Sequence, residues 1–180
     1  PNVPFTRKHN SDFSLAQSCY AFCRMLKPRV VVETGVAYGV TSSFILAALA
    51  ENQAGKLYSI DLPPLAKDAD DFVGMLVPNA LRGRWQLMRG ASRHLLPDLV
   101  KSVGPIDIFI HDSLHTYRNI TFELDTVMPF TNRPAAILVD DAGMNGAFAD
   151  WQKRNRSADS YVIHEEEKDA LFGIAIFNRQ

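Results

Sequence analysis

Acidic residues stand directly after several short apolar runs of this 180-residue chain. Val30–Val32 leads into Glu33, Lys56–Ile60 into Asp61, Ile106–Ile110 through His111 into Asp112, and Ala135–Val139 into the pair Asp140–Asp141. If these runs are parallel strands, their carboxyl ends share one sheet edge, and open α/β sheets bind ligands at that edge. One such acid is commonly a helix cap or a solvated loop residue. Acids at four strand ends are hard to place without a function. Asp61, at the end of the second run, is placed to accept hydrogen bonds from a ribose. His115 follows Asp112 by three positions and has the residue type of a general base, although a histidine at a helix start is often only an exposed polar residue. His111 reads as a packed strand-end residue that orients Asp112 from behind. His164 reads as structural, and Trp85 and Trp151 as core or rim.

Glu33 is followed by Gly35 and Gly39. Two glycines let a turn pass close to a ligand, and the helix N-terminus behind it favours a carboxylate or phosphate. The obvious competitor is a nicotinamide-dinucleotide dehydrogenase. Its G-x-G-x-x-G fingerprint fails, because Ala37 holds the second glycine position and Val40 the third. An acid two residues before the first glycine suits the ammonium group of a methionine, which nicotinamide dinucleotides lack.

The elements that must position these residues alternate along the chain. Helices are expected over Ser14–Leu26, Thr41–Glu51, Arg93–Val103, Thr116–Met128 and Asn145–Asn155, and one within Asp68–Leu81. Pro97 should sit near a helix end or kink it. Strands are expected at Val30–Val32, Lys56–Ile60, Trp85–Met88, Ile106–Ile110, Ala135–Val139, Tyr161–His164 and Leu171–Phe177. Alternation of this kind gives a parallel sheet covered on both faces. The last two strands are too close for a crossover helix and should pair antiparallel, with the final one inserted beside Val139. The expected fold class is therefore α/β, a Rossmann-like three-layer sandwich with a mostly parallel seven-stranded sheet and an antiparallel final strand, in a single domain over residues 1–180.

Composition narrows the rest. Nineteen basic and twenty acidic residues give a formal net charge of −1, which offers no steering toward nucleic acid or an anionic membrane. No apolar run approaches the roughly 18 residues that span a bilayer. The two cysteines, Cys19 and Cys23, lie four apart on one helix face and read as small apolar fillers in a reducing cytoplasm. The chain opens at Pro1 rather than methionine and reads as trimmed, without the charged and apolar regions of a signal peptide.

Over roughly Val30 to Phe177 the sequence resembles class I S-adenosylmethionine-dependent methyltransferases, and within them the catechol O-methyltransferase and macrocin-type sugar O-methyltransferase group. The resemblance lies in Glu33-x-Gly35-x-x-x-Gly39, in Gly90-Ala91-Ser92 before a helix with Leu-Leu-Pro, in Ile106–Asp112 and in Ile137–Asp141. It implies that Glu33, Gly35, Gly39 and Thr41 hold the methionine part of S-adenosylmethionine, Asp61 the ribose and Ser92 the adenine rim, with Asp112 also in the cofactor site. It further implies a divalent cation on Asp112, Asp140 and Asp141. Three aspartates are hard oxygen ligands and favour Mg²⁺ over Mn²⁺ or Ca²⁺. Two positions depart from the catechol enzymes: His115 stands where they carry lysine, as in the sugar-methylating branch, and Asp141 stands where they carry asparagine.

The implied reaction is metal-assisted O-methylation of a small hydroxyl acceptor, with His115 or Asp112 taking the proton. A vicinal diol, sugar or catechol presents two oxygens at chelating distance. The rivals are a cephalosporin-hydroxylase-like enzyme of the same fold and a non-catalytic cofactor-binding domain. Methyl transfer must exclude water, so Pro63–Asp71, with its Pro-Pro pair and three acids, is expected to cover the site, unless a second subunit of a homo-oligomer completes it.

Overall fold

The computed structural model describes residue 5 and residues 13–65, 68–165 and 169–179. Strands β1 (Val30–Thr34), β2 (Lys56–Asp61), β3 (Trp85–Arg89), β4 (Ile106–His111), β5 (Thr131–Val139), β6 (Asp159–Glu165) and β7 (Ala170–Phe177) form one sheet. Its order is β3-β2-β1-β4-β5-β7-β6. The first five strands run parallel, and β7 runs antiparallel between β5 and β6, with Val139 opposite Gly173 and His164 opposite Leu171. This is the expected Rossmann-like arrangement, including the inserted final strand.

Helices α1 (Phe13–Leu26), α2 (Val40–Glu51), α3 (Ala69–Phe72), α4 (Ser92–Val103), α5 (Tyr117–Val127) and α6 (Ala147–Arg154) complete the layers. Strand side chains alternate between the two faces. Val31, Ile108, Ile110 and Leu138 pack with Leu15, Cys19, Cys23, Ile45 and Leu49 of α1 and α2. Val32, Phe109, Ile137 and Val139 pack with Leu96, Val100, Leu124 and Trp151 of α4, α5 and α6. Both cysteines are free and buried, and Trp151 is fully buried. Trp85 is half-buried, and its indole donates to the Ser59 hydroxyl at 2.9 Å. This alternation sends Glu33 toward α2 and its neighbour Thr34 toward α5. Among the described residues, no helix is long and apolar enough to cross a membrane.

Three local expectations change. Asp68–Leu81 does not hold one helix: α3 lasts four residues, and a 3-10 turn over Asn79–Arg84 follows. Gly74, at φ +70°, breaks the run where the Trp85 ring leaves no room for a Cβ. Pro97 lies well inside α4 rather than at an end. Strand β5 begins at Thr131, four residues before the expected start at Ala135, and a register shift against β4 between Ile106 and Ile108 absorbs the difference.

Candidate active site

The turn after β1 is built from backbone. Gly35 sits at φ +84°, and a Cβ there would stand 1.8 Å from the Asp112 carbonyl oxygen, so the ends of β1 and β4 meet as closely as glycine permits. The Asp61 carboxylate accepts from the N–H groups of Val36 at 2.7 Å and Ala37 at 3.1 Å, which ties the turn to the end of β2. Burial raises the Asp61 carboxyl above its usual range, while the two N–H groups and the Arg89 guanidinium pull it back. Gly39, at φ +88°, faces Gly74, and a Cβ there would lie 2.9 Å from the Gly74 Cα. Gly74 and Leu76 donate to the Ala37 and Tyr38 carbonyls at 2.8 and 3.0 Å, so this segment lies along the turn.

A cavity of about 660 Å³ opens over these strand ends. That is room for a ligand of cofactor size. Of the expected residues, Gly35, Asp61, Ser92, Asp112, His115 and Asp141 line it. Glu33, Gly39, Thr41 and Asp140 are not among its lining residues. Thr41 is buried in the first turn of α2. Glu33 is fully buried beneath α2, where the Ser42 and Ser59 hydroxyls donate to its Oε2 at 2.7 and 2.6 Å. Burial pushes its carboxyl up to about 7 against those two hydrogen bonds. Its Oε1 is buried without a hydrogen-bond partner.

At one pole of the cavity, the ends of β4 and β5 bring acids around His115. Asp140 donates its backbone N–H to the His111 carbonyl at 2.8 Å, which sets the two strand ends side by side. His115 Nε2 lies 3.7 Å from Asp112 Oδ1 and 3.8 Å from Asp140 Oδ2, and it is buried with no hydrogen-bond partner. Ligating atoms of Asp112, His115 and Asp140 all fall within 4.8 Å of one another. Such separations suit atoms that share one divalent ion with bonds of about 2.1 Å. Asp141 turns the other way: at φ +49°, it places Oδ2 3.0 Å from His115 Nδ1. Burial, then the neighbouring His111, lowers the His115 pKa, and Asp140, Asp141 and Glu123 oppose the shift. Asn145 donates to the His115 carbonyl at 3.2 Å and joins the loops after β4 and β5.

Two contributors escaped sequence reasoning. Glu123, on α5, is fully buried. It accepts from His111 Nδ1 at 2.6 Å, Thr34 at 2.5 Å, Ser113 at 2.8 Å and Asn119 at 3.0 Å. Burial alone would raise this carboxyl, but the His111 hydrogen bond and charge, helped by the Ser92 and Thr34 hydroxyls, bring it down to about 2. The sequence signal was an acid inside the apolar stripe Ile120, Leu124, Val127. The second contributor is Phe5, which lines the cavity, stacks edge-on against Tyr38 with centroids 5.1 Å apart, and accepts from the Tyr38 hydroxyl at 2.9 Å. The expected cover over Pro63–Asp71 is visible in part. Pro64 lines the cavity and Asp70 pairs with Arg89 at 2.7 Å, while residues 66–67 lie outside those described.

Similarity to solved structures extends over nearly the whole chain. The O-methyltransferase TomG from Streptomyces achromogenes, crystallised with S-adenosylmethionine, superposes with a TM-score of 0.73 at 16% identity, covering 96% of this chain and 83% of TomG. An O-methyltransferase from Bacillus cereus with S-adenosylhomocysteine gives 0.72 at 12% identity, covering 98% and 85%. A methyltransferase from Geobacter sulfurreducens gives 0.71 at 18% identity, covering 95% and 81%. At these identities the likeness establishes the fold. No curated protein matches the sequence. Residues 32–142, more than half of the chain and spanning the turn after β1 through Asp141, match the Methyltransf_24 family, described as a methyltransferase domain, and the chain belongs to that family.

Proposed function

We propose that the protein transfers a methyl group from S-adenosylmethionine to a hydroxyl of a small molecule, assisted by a divalent cation. The observation that carries this reading is the single cavity with Asp61 and the glycine turn at one side and the Asp112–His115–Asp140 cluster at the other. Asp61 is the ribose acceptor, Ser92 lies at the adenine rim, and Gly35 lets the cofactor approach the backbone. Thr41, Gly39 and the buried Glu33 carboxylate shape the methionine end from behind.

Asp112 and Asp140 would hold the cation, with Mg²⁺ the best match to their hard oxygen atoms. When bound, such an ion orients two neighbouring acceptor oxygens and lowers the pKa of a coordinated hydroxyl. Asp141 keeps the His115 ring in place. With the ring proton on Nδ1 toward Asp141, the neutral ring presents its lone pair at Nε2, where a hydroxyl proton can be accepted. The lowered His115 pKa keeps the ring neutral and ready for that role. The same Nε2 also falls within the possible ligand set, so its second reading is a direct bond to the cation.

Calorimetric titration with S-adenosylhomocysteine tests the cofactor half. Wild-type protein should bind it, and Asp61→Ala should weaken binding by about 1–3 kcal/mol, the loss expected for a hydrogen bond to a charged group. No binding by the wild type, or undiminished affinity in a folded Asp61→Ala, would refute the assignment.

A further inference from the structure

Glu123 governs more than packing. Its carboxylate has only lone pairs to offer, so every group that bonds to it must be the donor. The Ser113 hydroxyl donates to Oε1 at 2.8 Å. The Ser92 hydroxyl also hydrogen-bonds Glu123. The Asn119 amide spends its two N–H groups inside the network, one on Glu123 Oε1 at 3.0 Å and one on Ser113 Oγ at 3.1 Å. Ser92, Ser113 and Asn119 all line the cavity. Each has therefore committed its hydrogens inward and can present only lone pairs to a ligand. A serine normally adapts, donating or accepting as the ligand requires. Here the buried acid removes that choice.

The position of this wall says what it meets. The cation cluster occupies the β4–β5 pole of the cavity, and a methyl acceptor belongs beside it. Asp61 stands nearer the middle, and Ser92 follows β3 at the opposite side. A nucleoside whose ribose is held by Asp61 must extend its base toward Ser92. We propose that Glu123 is a specificity-determining positioning residue, which makes the wall of Ser92, Ser113 and Asn119 acceptor-only and so selects a base with an exocyclic amine, adenine, over one with a carbonyl at the same position. This rests on the cofactor reading above and adds the reason for base selection. The carboxylate itself does not touch the ligand. The low Glu123 pKa is consistent with a group that stays ionised across the working pH range.

The test compares two ligands that differ at that one position. S-adenosylhomocysteine carries an amine, and S-inosylhomocysteine carries a carbonyl. Calorimetry on the wild-type protein should show adenosyl binding stronger by about tenfold or more, since a carbonyl facing acceptors loses a hydrogen bond and gains repulsion. Ser92→Ala and Ser113→Ala remove single acceptors without touching the buried carboxylate, and at least one should narrow the ratio severalfold. Glu123→Gln supplies an amide that donates in place of the carboxylate. It frees hydroxyl hydrogens to turn outward and should narrow the ratio most, chiefly by improving inosyl binding. A general loss of structure would weaken both ligands alike and leave the ratio in place. Equal affinity of the wild type for the two ligands overturns the proposal, as does an unchanged ratio in both folded serine variants. Failure of the wild type to bind either ligand overturns the cofactor reading as well, so the two failures are distinguishable.

Discussion

The Asp141 carboxylate lies 3.0 Å from His115 Nδ1, on the side of the ring away from Asp112 and Asp140, which face Nε2 at 3.7 and 3.8 Å. A carboxylate behind an imidazole fixes its tautomer and orientation. The third acid thereby serves the histidine, and the first two serve whatever Nε2 faces.

His115→Ala should lower kcat by about 10²–10⁴-fold, the range for a positioned general base, with S-adenosylhomocysteine affinity unchanged. Unchanged turnover would remove His115 from the reaction. Measuring Mg²⁺ affinity in the same variant separates its two roles. Affinity within about twofold of wild type assigns it as base, and a loss of tenfold or more assigns it as ligand.

Much of this was legible in the sequence, for a physical reason. Parallel strands are buried on both faces, so Val30–Val32, Ile106–Ile110 and Ala135–Val139 appear as uninterrupted β-branched and apolar runs, and the residue after each run is at the ligand-binding edge. The short Glu165–Ala170 connection forces antiparallel pairing. What stayed hidden depends on tertiary contact. The network of Glu123 joins side chains up to 89 positions apart, as with Thr34. Asp141 looked equivalent to Asp140 until its left-handed backbone turned it toward His115. The break of Asp68–Leu81 depends on the Trp85 ring at Gly74, which no local propensity records.

Gly35→Ala and Gly104→Ala form a matched pair. Both sites have φ above +80°, but a Cβ at Gly35 meets the Asp112 backbone at 1.8 Å, whereas Gly104 has nothing within 4 Å. Backbone strain alone should cost Gly104→Ala about 1–2 kcal/mol. Gly35→Ala adds overpacking against a backbone that cannot step aside and should cost about 3 kcal/mol or more. Urea unfolding of the two variants gives the comparison. Equal losses would mean that the approach of β1 to β4 is looser than described.

Glu33 and Glu123 should contribute to stability with opposite dependence on pH. Glu33 has its folded pKa raised to about 7 from 4.5, so its contribution is full below pH 4.5 and is lost as pH rises through 7. The unfolding free energy of wild type minus that of Glu33→Gln should therefore fall by about 3 kcal/mol between pH 4 and 8. Glu123 has its folded pKa depressed to about 2, so its contribution is present above pH 4.5 and is lost as pH falls toward 2. A Glu33 difference that stays flat across that range would show that its carboxyl ionises as freely as in the unfolded chain.

The central claim is cation-assisted transfer of a methyl group to oxygen. The most direct measurement is mass spectrometry of the protein incubated with methyl-labelled S-adenosylmethionine and a panel of vicinal diols, sugars and catechols, with Mg²⁺ or with excess chelator. The account predicts a labelled mono-O-methyl ether from at least one member of the panel with Mg²⁺, lost on chelation and recovered when Mg²⁺ is restored. Labelled ether that forms equally in excess chelator, with metal analysis confirming a metal-free protein, would contradict the cation's role. Cofactor that binds while no hydroxyl of the panel is methylated would contradict the proposed acceptor chemistry.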